Sequence, residues 1–563
     1  MPDEPVNEIS AGWTRAAERD RVQPSHPIAV KLQGRQIAFF VHEGEVFACN
    51  NRCPHEGYPL VEGVLDCNSR EPASEGNEGR ARCVLTCHWH NWKFDLRTGA
   101  TLYGGDHLRT YPVSVRDGAI WVDLTDAPAA ERVDHALEHL DTAIAEFDSA
   151  RIARELARLS KAGARVETAI ARAIVATHHR LRDGMGHAYA ATDAWLRLRD
   201  ALADDAERLA CAAEAIAYIA FDTLREPDTP YSSDKLPWNA HAFAAAIESQ
   251  DEDCAVALIS GALAAELHFN DLEPVLASAA LAHYNDFGHS LIYAMHAGRL
   301  ITRLGREVER PLLKAWIRSL IYATREDLLP DFRGYADALE QWGDGPDTLH
   351  SEPAANGPTP AALADQFEGQ SVRSLLEIMS SRSSHPPLLL HAALMEAASR
   401  HLLRFDEAHA TRTDNSVADN VGWLDFSHAL TFGHAVRDVC TRHPHLWPAS
   451  LLQLALFVAR NKSYLDPRLS SADALGEWAV PDEDAFHRRA MTQIVDHGIG
   501  LPIFPAHWLK TWMAVRDEIA AGVPESTRIT MLAAINRLLA VRFKQRHALR
   551  NATQALRFVE KED

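Results

Sequence analysis

The chain has 563 residues, with 57 Lys and Arg against 78 Asp and Glu, a formal charge of −21. A field of that sign repels phosphate, which excludes nucleic acid and anionic membrane as main partners. No apolar run reaches the ~20 residues that span a bilayer, and the N-terminus lacks a signal-peptide pattern, so a soluble cytoplasmic protein is expected.

Residues 26–50 read as strand, turn, strand: Pro27–Leu32, Gln36–Val41 and Val46–Cys49 are apolar-rich runs separated by Gly-containing turns. The pattern resumes at Tyr111–Val115, turns at Asp117-Gly118 and continues through Ala119–Leu124. Short alternating runs of this kind predict a small antiparallel all-β domain over residues 1–125. Beyond it the apolar period becomes helical, first at Val133–Phe147, Arg151–Ala162 and Arg165–Arg182, and almost no strand-like alternation follows. Residues 126–563 therefore predict a large all-α domain.

Five of the eight cysteines (Cys49, Cys53, Cys67, Cys83, Cys87) fall within 39 residues. Cys53-Pro-His55 and Cys87-His-Trp-His90 set a C-x-H and a C-x2-H on two loops, and Cys2His2 ligation suits a structural zinc or a Rieske-type [2Fe-2S] centre. The surroundings, Cys53-Pro-His-Glu-Gly57 with Leu60 and then Cys87-His-Trp-His-Asn-Trp-Lys-Phe94 through Gly99, resemble the Rieske domain family over about residues 10–125. That resemblance implies that Cys53 and Cys87 hold one iron and His55 and His90 the other. Two neutral imidazoles in place of thiolates raise the potential of such a one-electron carrier. His88 stands outside this spacing and reads as an outer-layer or surface residue. The stretch between His55 and Cys87 is longer than is usual in the family, and its excess is a polar loop between Cys67 and Cys83. In a reducing compartment those two are expected as free thiols.

Asp286-Phe-Gly-His289-Ser-Leu-Ile-Tyr293-Ala and Asp425-Phe-Ser-His428-Ala-Leu-Thr-Phe-Gly align without gaps, four of nine positions being identical. This reads as a duplicated helix with one inward histidine each, and Tyr293 shares the His289 face. Gly186 precedes His187 in a similar small-residue setting, and Pro505-Ala-His507-Trp-Leu-Lys510 places His and Lys on one face. Trp508, Trp512, Val515 and Ile519 form the core stripe there, leaving the His507/Lys510 face to be either a ligand face or simply solvated. His391, His401, His443, His445, His487 and His497 read as structural.

The helical half resembles the questin oxidase family, on Gly288-His289-Ser-Leu-Ile-Tyr-Ala, His428-Ala-Leu-Thr-Phe-Gly-His434-Ala-Val-Arg437 and His507-x-x-Lys510-x-x-x-Ala514. The resemblance implies an all-helical fold holding a mononuclear non-haem iron with histidines and a carboxylated lysine. Its ligands here would be His187, His289, His428, His507 and Lys510, acting with O2 on an aromatic, polyketide-like substrate. Asp286, Asp425 and Tyr293 are the candidate catalytic or orienting groups, the aspartates as acceptors for the imidazoles or as residues at helix starts. Electrons would come from an external NAD(P)H-dependent reductase or a ferredoxin, through the Rieske centre. Two paired Asp-x-x-His helices also admit a di-iron site. A non-catalytic electron carrier or redox sensor is the reading from outside enzymology.

Overall fold

A computed structural model of the chain describes residues 12–69, 82–325, 328–343 and 357–560. They belong to two compact units, one of residues 1–143 with 158–164, the other of 144–157 with 165–563. The first is an antiparallel β domain carrying a first helix, Ala129–Glu146, and the second is helical, as expected.

The β unit is built from β1 (Trp13–Glu18), β2 (Ile28–Leu32), β3 (Arg35–His42), β4 (Glu45–Asn50), β5 (Val64–Ser69), β6 (Arg82–Thr86), β7 (Lys93–Asp95), β8 (Thr101–Tyr103), β9 (Thr110–Tyr111), β10 (Val113–Arg116) and β11 (Ala119–Asp123). They form three antiparallel sheets in the orders β1-β11-β10, β2-β3-β4-β9 and β5-β6-β7-β8. Side chains alternate across a strand, and β3 uses both sides. Ile37, Phe39 and Val41 face a core with Ile120 and Val122, while Ala38 and Phe40 face a second core with Phe47, Leu85 and Phe94. Cys53 and Cys87 belong to that second core.

The expectation of free thiols at Cys67 and Cys83 is corrected: they form a disulfide. The β5–β6 pairing sets Asp66 opposite Val84 and Ser69 opposite Arg82, which brings the two cysteines side by side with Cα atoms 3.9 Å apart. Residues 70–81 of the polar loop lie outside the described residues.

In the helical unit, four helices make the centre: His187–Ala201, Asn285–Leu304, Trp423–Arg442 and Ile503–Ala520. Each packs against two of the others, so that they close a ring in the order given. Helices buried on all sides lose the usual polar face. Pro505 to Val515 is continuously buried, which settles the open question about the His507/Lys510 face: it faces protein, with Lys510 only 3% exposed. Among the described residues, no helix is long and apolar enough to cross a membrane.

Candidate metal centres

The loop after β4 and the loop after β6 carry the Cys/His pairs. Each is closed by backbone hydrogen bonds: Cys53 N donates to Tyr58 O (2.9 Å) and Gly57 N to Cys53 O (2.8 Å), while Cys87 N donates to Trp92 O (2.8 Å). Gly57 has φ +78°, the left-handed turn that favours glycine. Tyr58 ties the loops together, its ring stacked on Trp89 and its hydroxyl 3.1 Å from His88 Nε2. His88 is thus a surface clip between the loops.

Within this frame Cys53 and Cys87 are buried, whereas His55 and His90 lie at the rim with their rings 4.6 Å apart. Trp92 stacks on His55 at 4.5 Å. Burial pushes the Cys53 thiol up to about 12, against the lowering effect of the His55 backbone N–H aimed at it. His55 Nδ1 is a buried nitrogen without a hydrogen-bond partner. An unpartnered imidazole nitrogen beside two converging thiols is the donor set a [2Fe-2S] cluster requires, so the residues fit the group.

In the helical unit, His187, His289, His428, His507 and Lys510 come together. His187 opens its helix, and the other three histidines lie near the starts of theirs. The start of the His289 helix is distorted, Asn285 (φ 54°), Asp286 (φ 58°) and Gly288 (φ 75°) all having positive φ. Gly288 is required twice over, since a Cβ there would stand 2.2 Å from Phe432 Cδ2 of the neighbouring helix. Strain of this kind persists only where surrounding structure over-determines it.

Ring orientation follows from the backbone. His289 Nδ1 lies 3.1 Å from Asn285 O, His428 Nδ1 2.6 Å from Leu424 O and His507 Nδ1 2.6 Å from Ile503 O. A carbonyl only accepts, so Nδ1 carries the proton and each neutral ring presents an Nε2 lone pair. Burial holds all four imidazoles well below their usual range, His289 at about 3, with the Lys510 charge adding to the effect. His289 and His507 Nε2 then face His428 Nε2 at 2.9 and 3.1 Å. Three lone pairs meeting with no proton between them repel unless a cation sits among them. Imidazole nitrogens sharing one first-row ion stand roughly 3 Å apart, so these residues fit an ion. His187 joins the group, its ring 4.6 Å from that of His507 and 4.8 Å from that of His289. Its Nδ1 lies 2.8 Å from Lys510 Nζ, and burial brings the Lys510 ammonium down to about 7.

Of the two parts offered for Asp286 and Asp425, that of acceptor for the imidazole Nδ1 is taken by the i−4 carbonyls, and the helix-start part is seen at Asp425. Asp425 Oδ2 accepts from Gly422 N at 2.8 Å and caps its own helix. Asp286 lines a cavity of about 130 Å³ with Tyr284, Phe287, Phe332 and Arg460. Tyr293 is buried with its ring 5.2 Å from His289 and 5.8 Å from His187, and burial raises its phenol. His434 stands apart from the ligand group, bonded to Glu518 (3.0 Å) and Asp517 (3.2 Å).

Two residues near the centre escaped sequence reasoning. Phe287 stacks on the His428 ring at 4.8 Å, and its repetition as Phe426 in the duplicated motif was the available signal. Asp222 accepts from the Ala188 N–H and is raised by burial to about 7; no motif marks it.

The Cys2His2 loops on a small antiparallel β fold define an iron–sulfur electron-transfer domain. The family model of the Rieske [2Fe-2S] domain matches residues 12–112. The 3-phenylpropionate/cinnamic acid dioxygenase ferredoxin subunit of Photorhabdus laumondii is 35% identical over 92 residues, covering 16% of this chain and 74% of that protein. The naphthalene 1,2-dioxygenase ferredoxin component of Pseudomonas putida is 26% identical over 119 residues, 21% of this chain and 100% of its own. For the 4beta-methylsterol monooxygenase of Methylococcus capsulatus the values are 32% over 136 residues, 22% of this chain and 33% of that protein, so the chain spans a third of its length. Among solved structures, the ferredoxin of carbazole 1,9a-dioxygenase from Nocardioides aromaticivorans IC177 is 26% identical, with 20% of this chain and 100% of that one covered and a TM-score of 0.17. Through its N-terminal domain the chain belongs to the Rieske [2Fe-2S] family.

Proposed function

We propose that the chain is a Rieske-fused non-haem iron oxygenase. Cys53, His55, Cys87 and His90 would hold a [2Fe-2S] cluster, which would supply one-electron transfer from an external NAD(P)H-dependent reductase or ferredoxin. A mononuclear iron in the helical unit would supply O2 activation against an aromatic, polyketide-like substrate. His187, His289, His428, His507 and Lys510 would hold that iron. The observation that carries the reading is the convergence of three neutral Nε2 lone pairs from separate helices at 2.9 and 3.1 Å. A matching helical domain is implied by the questin oxidase resemblance, and aromatic dioxygenase components among the relatives support the substrate class.

The chain's own residues have definite parts in this reading. The i−4 carbonyls fix the imidazole tautomers before any ion arrives, so little reorganisation is needed on binding. Lys510, brought down to about 7, offers a neutral amine near physiological pH. The neutral nitrogen adds to CO2 with loss of one proton, giving an anionic carbamate oxygen donor; counted from the ammonium, two protons are released. Tyr293 keeps its phenolic proton and can donate a hydrogen bond to an oxygen of the substrate. Phe287 covers the outer face of His428 and excludes water there.

A cavity of about 500 Å³ reaches Leu424 and Asp425 in the first turn before His428, and Phe504 beside the His507 carbonyl partner. Trp423 and Phe543 line it with Arg542, Lys544 and Arg550, so it suits a planar ring bearing an acidic phenol. The test is His428→Ala. Loss of reductant-dependent O2 uptake and of the non-cluster iron, with the cluster spectrum retained, supports the reading; uptake unchanged from the wild type refutes it.

A further inference from the structure

The β unit holds a third gathering of metal-ligating side chains, separate from both centres above. His135 and His139 stand one turn apart on the Ala129–Glu146 helix, and His107 comes from the segment between β8 and β9. The three rings approach with centroids 4.0 Å (His135–His139), 4.4 Å (His107–His139) and 5.4 Å (His107–His135) apart. One ring nitrogen from each lies within 4.8 Å of the other two. His139 is buried, while His107 and His135 are exposed. Exposed imidazoles gain little by packing on one another, and protonated they repel. A shared cation turns that proximity into an attraction.

We propose that His107, His135 and His139 form a divalent transition-metal site of the zinc type. An i, i+4 histidine pair presents two imidazoles on one helix face, and a third from another element completes the three-nitrogen set zinc accepts. Tetrahedral zinc draws its nitrogen ligands to about 3.4 Å from one another, so small side-chain rotations close the site. Glu131, one turn before His135 on the same helix, lines the same cavity of about 660 Å³ and is placed to offer the fourth ligand in exchange with water. Of the cations lining that cavity, Arg109 pairs with Asp126 and Arg158 with Asp106, each at 2.6 Å, while Arg132 and Lys161 line it as well.

The position gives the ion a structural task. His107 lies three residues before Thr110, and Thr110 in β9 pairs with Cys49 of β4, the strand leading to the Cys53 loop. His107 and Cys53 also line one cavity. A metal there pins the first helix to the strand framework beneath the cluster loop. Binding that needs the folded arrangement stabilises it.

The test uses the full chain with its cluster, loaded with Zn2+, desalted and analysed for metals. His107→Ala/His135→Ala is the variant, because both side chains are exposed, and its visible cluster spectrum reports folding. The expected result is one zinc equivalent fewer in this double variant, in the wild-type and in the His289→Ala/His428→Ala backgrounds alike. Equal zinc content with and without the two histidines overturns the proposal. Zinc K-edge absorption of the zinc-loaded His289→Ala/His428→Ala protein decides independently of any change at 107 or 135. Three imidazole nitrogens around zinc agree with the assignment; a sulfur-containing shell, or fewer than three imidazoles, overturns it.

Discussion

Replacing Gly288 by Ala separates two costs that the structure makes distinct. The first is conformational, since φ is +75° and an L side chain in the left-handed region loses about 1–2 kcal/mol. The second is steric: the new Cβ would stand 2.2 Å from Phe432 Cδ2, inside a packed helix interface, and overpacking of that kind costs about 1–3 kcal/mol. Gly334 is the internal control, with φ +84°, ψ 1° and nothing within 4 Å of the position a Cβ would take, so Gly334→Ala carries the conformational cost alone. The expected destabilisation is about 2–5 kcal/mol for Gly288→Ala against about 1–2 kcal/mol for Gly334→Ala. Urea titration followed at the helical circular-dichroism band measures both. Because Gly288 precedes His289, the Gly288 variant should also lose non-cluster iron while Gly334→Ala keeps it. Equal destabilisation by the two substitutions, with iron retained in both, would refute the reasoning that this close approach sets the His289 ring.

Further outcomes follow from the same geometry. In the metal-free chain Lys510 is lowered from 10.5 to about 7, so between those pH values the unfolded state holds a proton that the folded state has lost. Stability therefore rises with pH across that window, by up to about 1.4 kcal/mol per unit, and Lys510→Met should flatten the slope in urea titrations at pH 7, 8 and 9. Reduction of the Cys67–Cys83 disulfide, or Cys67→Ser/Cys83→Ser, should lower the stability of the β unit by about 3 kcal/mol, read from thermal bleaching of the cluster. His55→Ala should abolish the Rieske electron-resonance signal and leave helical content unchanged; a persistent wild-type signal would contradict the ligand assignment.

How much was legible in advance depended on whether the chemistry was local. Cys53, His55, Cys87 and His90 could be singled out because two contiguous loops carry them at the short, fixed spacing of the Rieske family. Strands β2, β3, β4, β10 and β11 were visible as alternating runs. Strands β5 to β8 are short and shaped by loops, so their pattern never emerged. In the helical unit each histidine stood in a recognisable segment, but their meeting depends on the packing of four helices. The Lys510–His187 pair spans 323 positions, which no local period encodes. Amphipathic reasoning left the Lys510 face undecided because the helix is buried on all sides. The aspartates one turn before His289 and His428 suggested carboxylate partners, yet helix geometry already supplies an i−4 carbonyl at the right place. The thiol expectation rested on compartment, and strand register overrode it. His135 and His139 stand at i, i+4 within the predicted Val133–Phe147 helix but were not singled out, and His107 joins them only through the β8–β9 connection.

Imidazoles of the helical unit would hold an ion in addition to the cluster. Iron content of the purified chain, measured together with electron resonance of the oxidised and reduced states, tests this most directly. About three irons per chain are expected, two in a Rieske cluster with its reduced-state signal and one in a separate mononuclear site that His428→Ala removes. About two irons per chain, all accounted for by the cluster signal and unchanged in His428→Ala, would leave the helical unit without a metal and contradict the account.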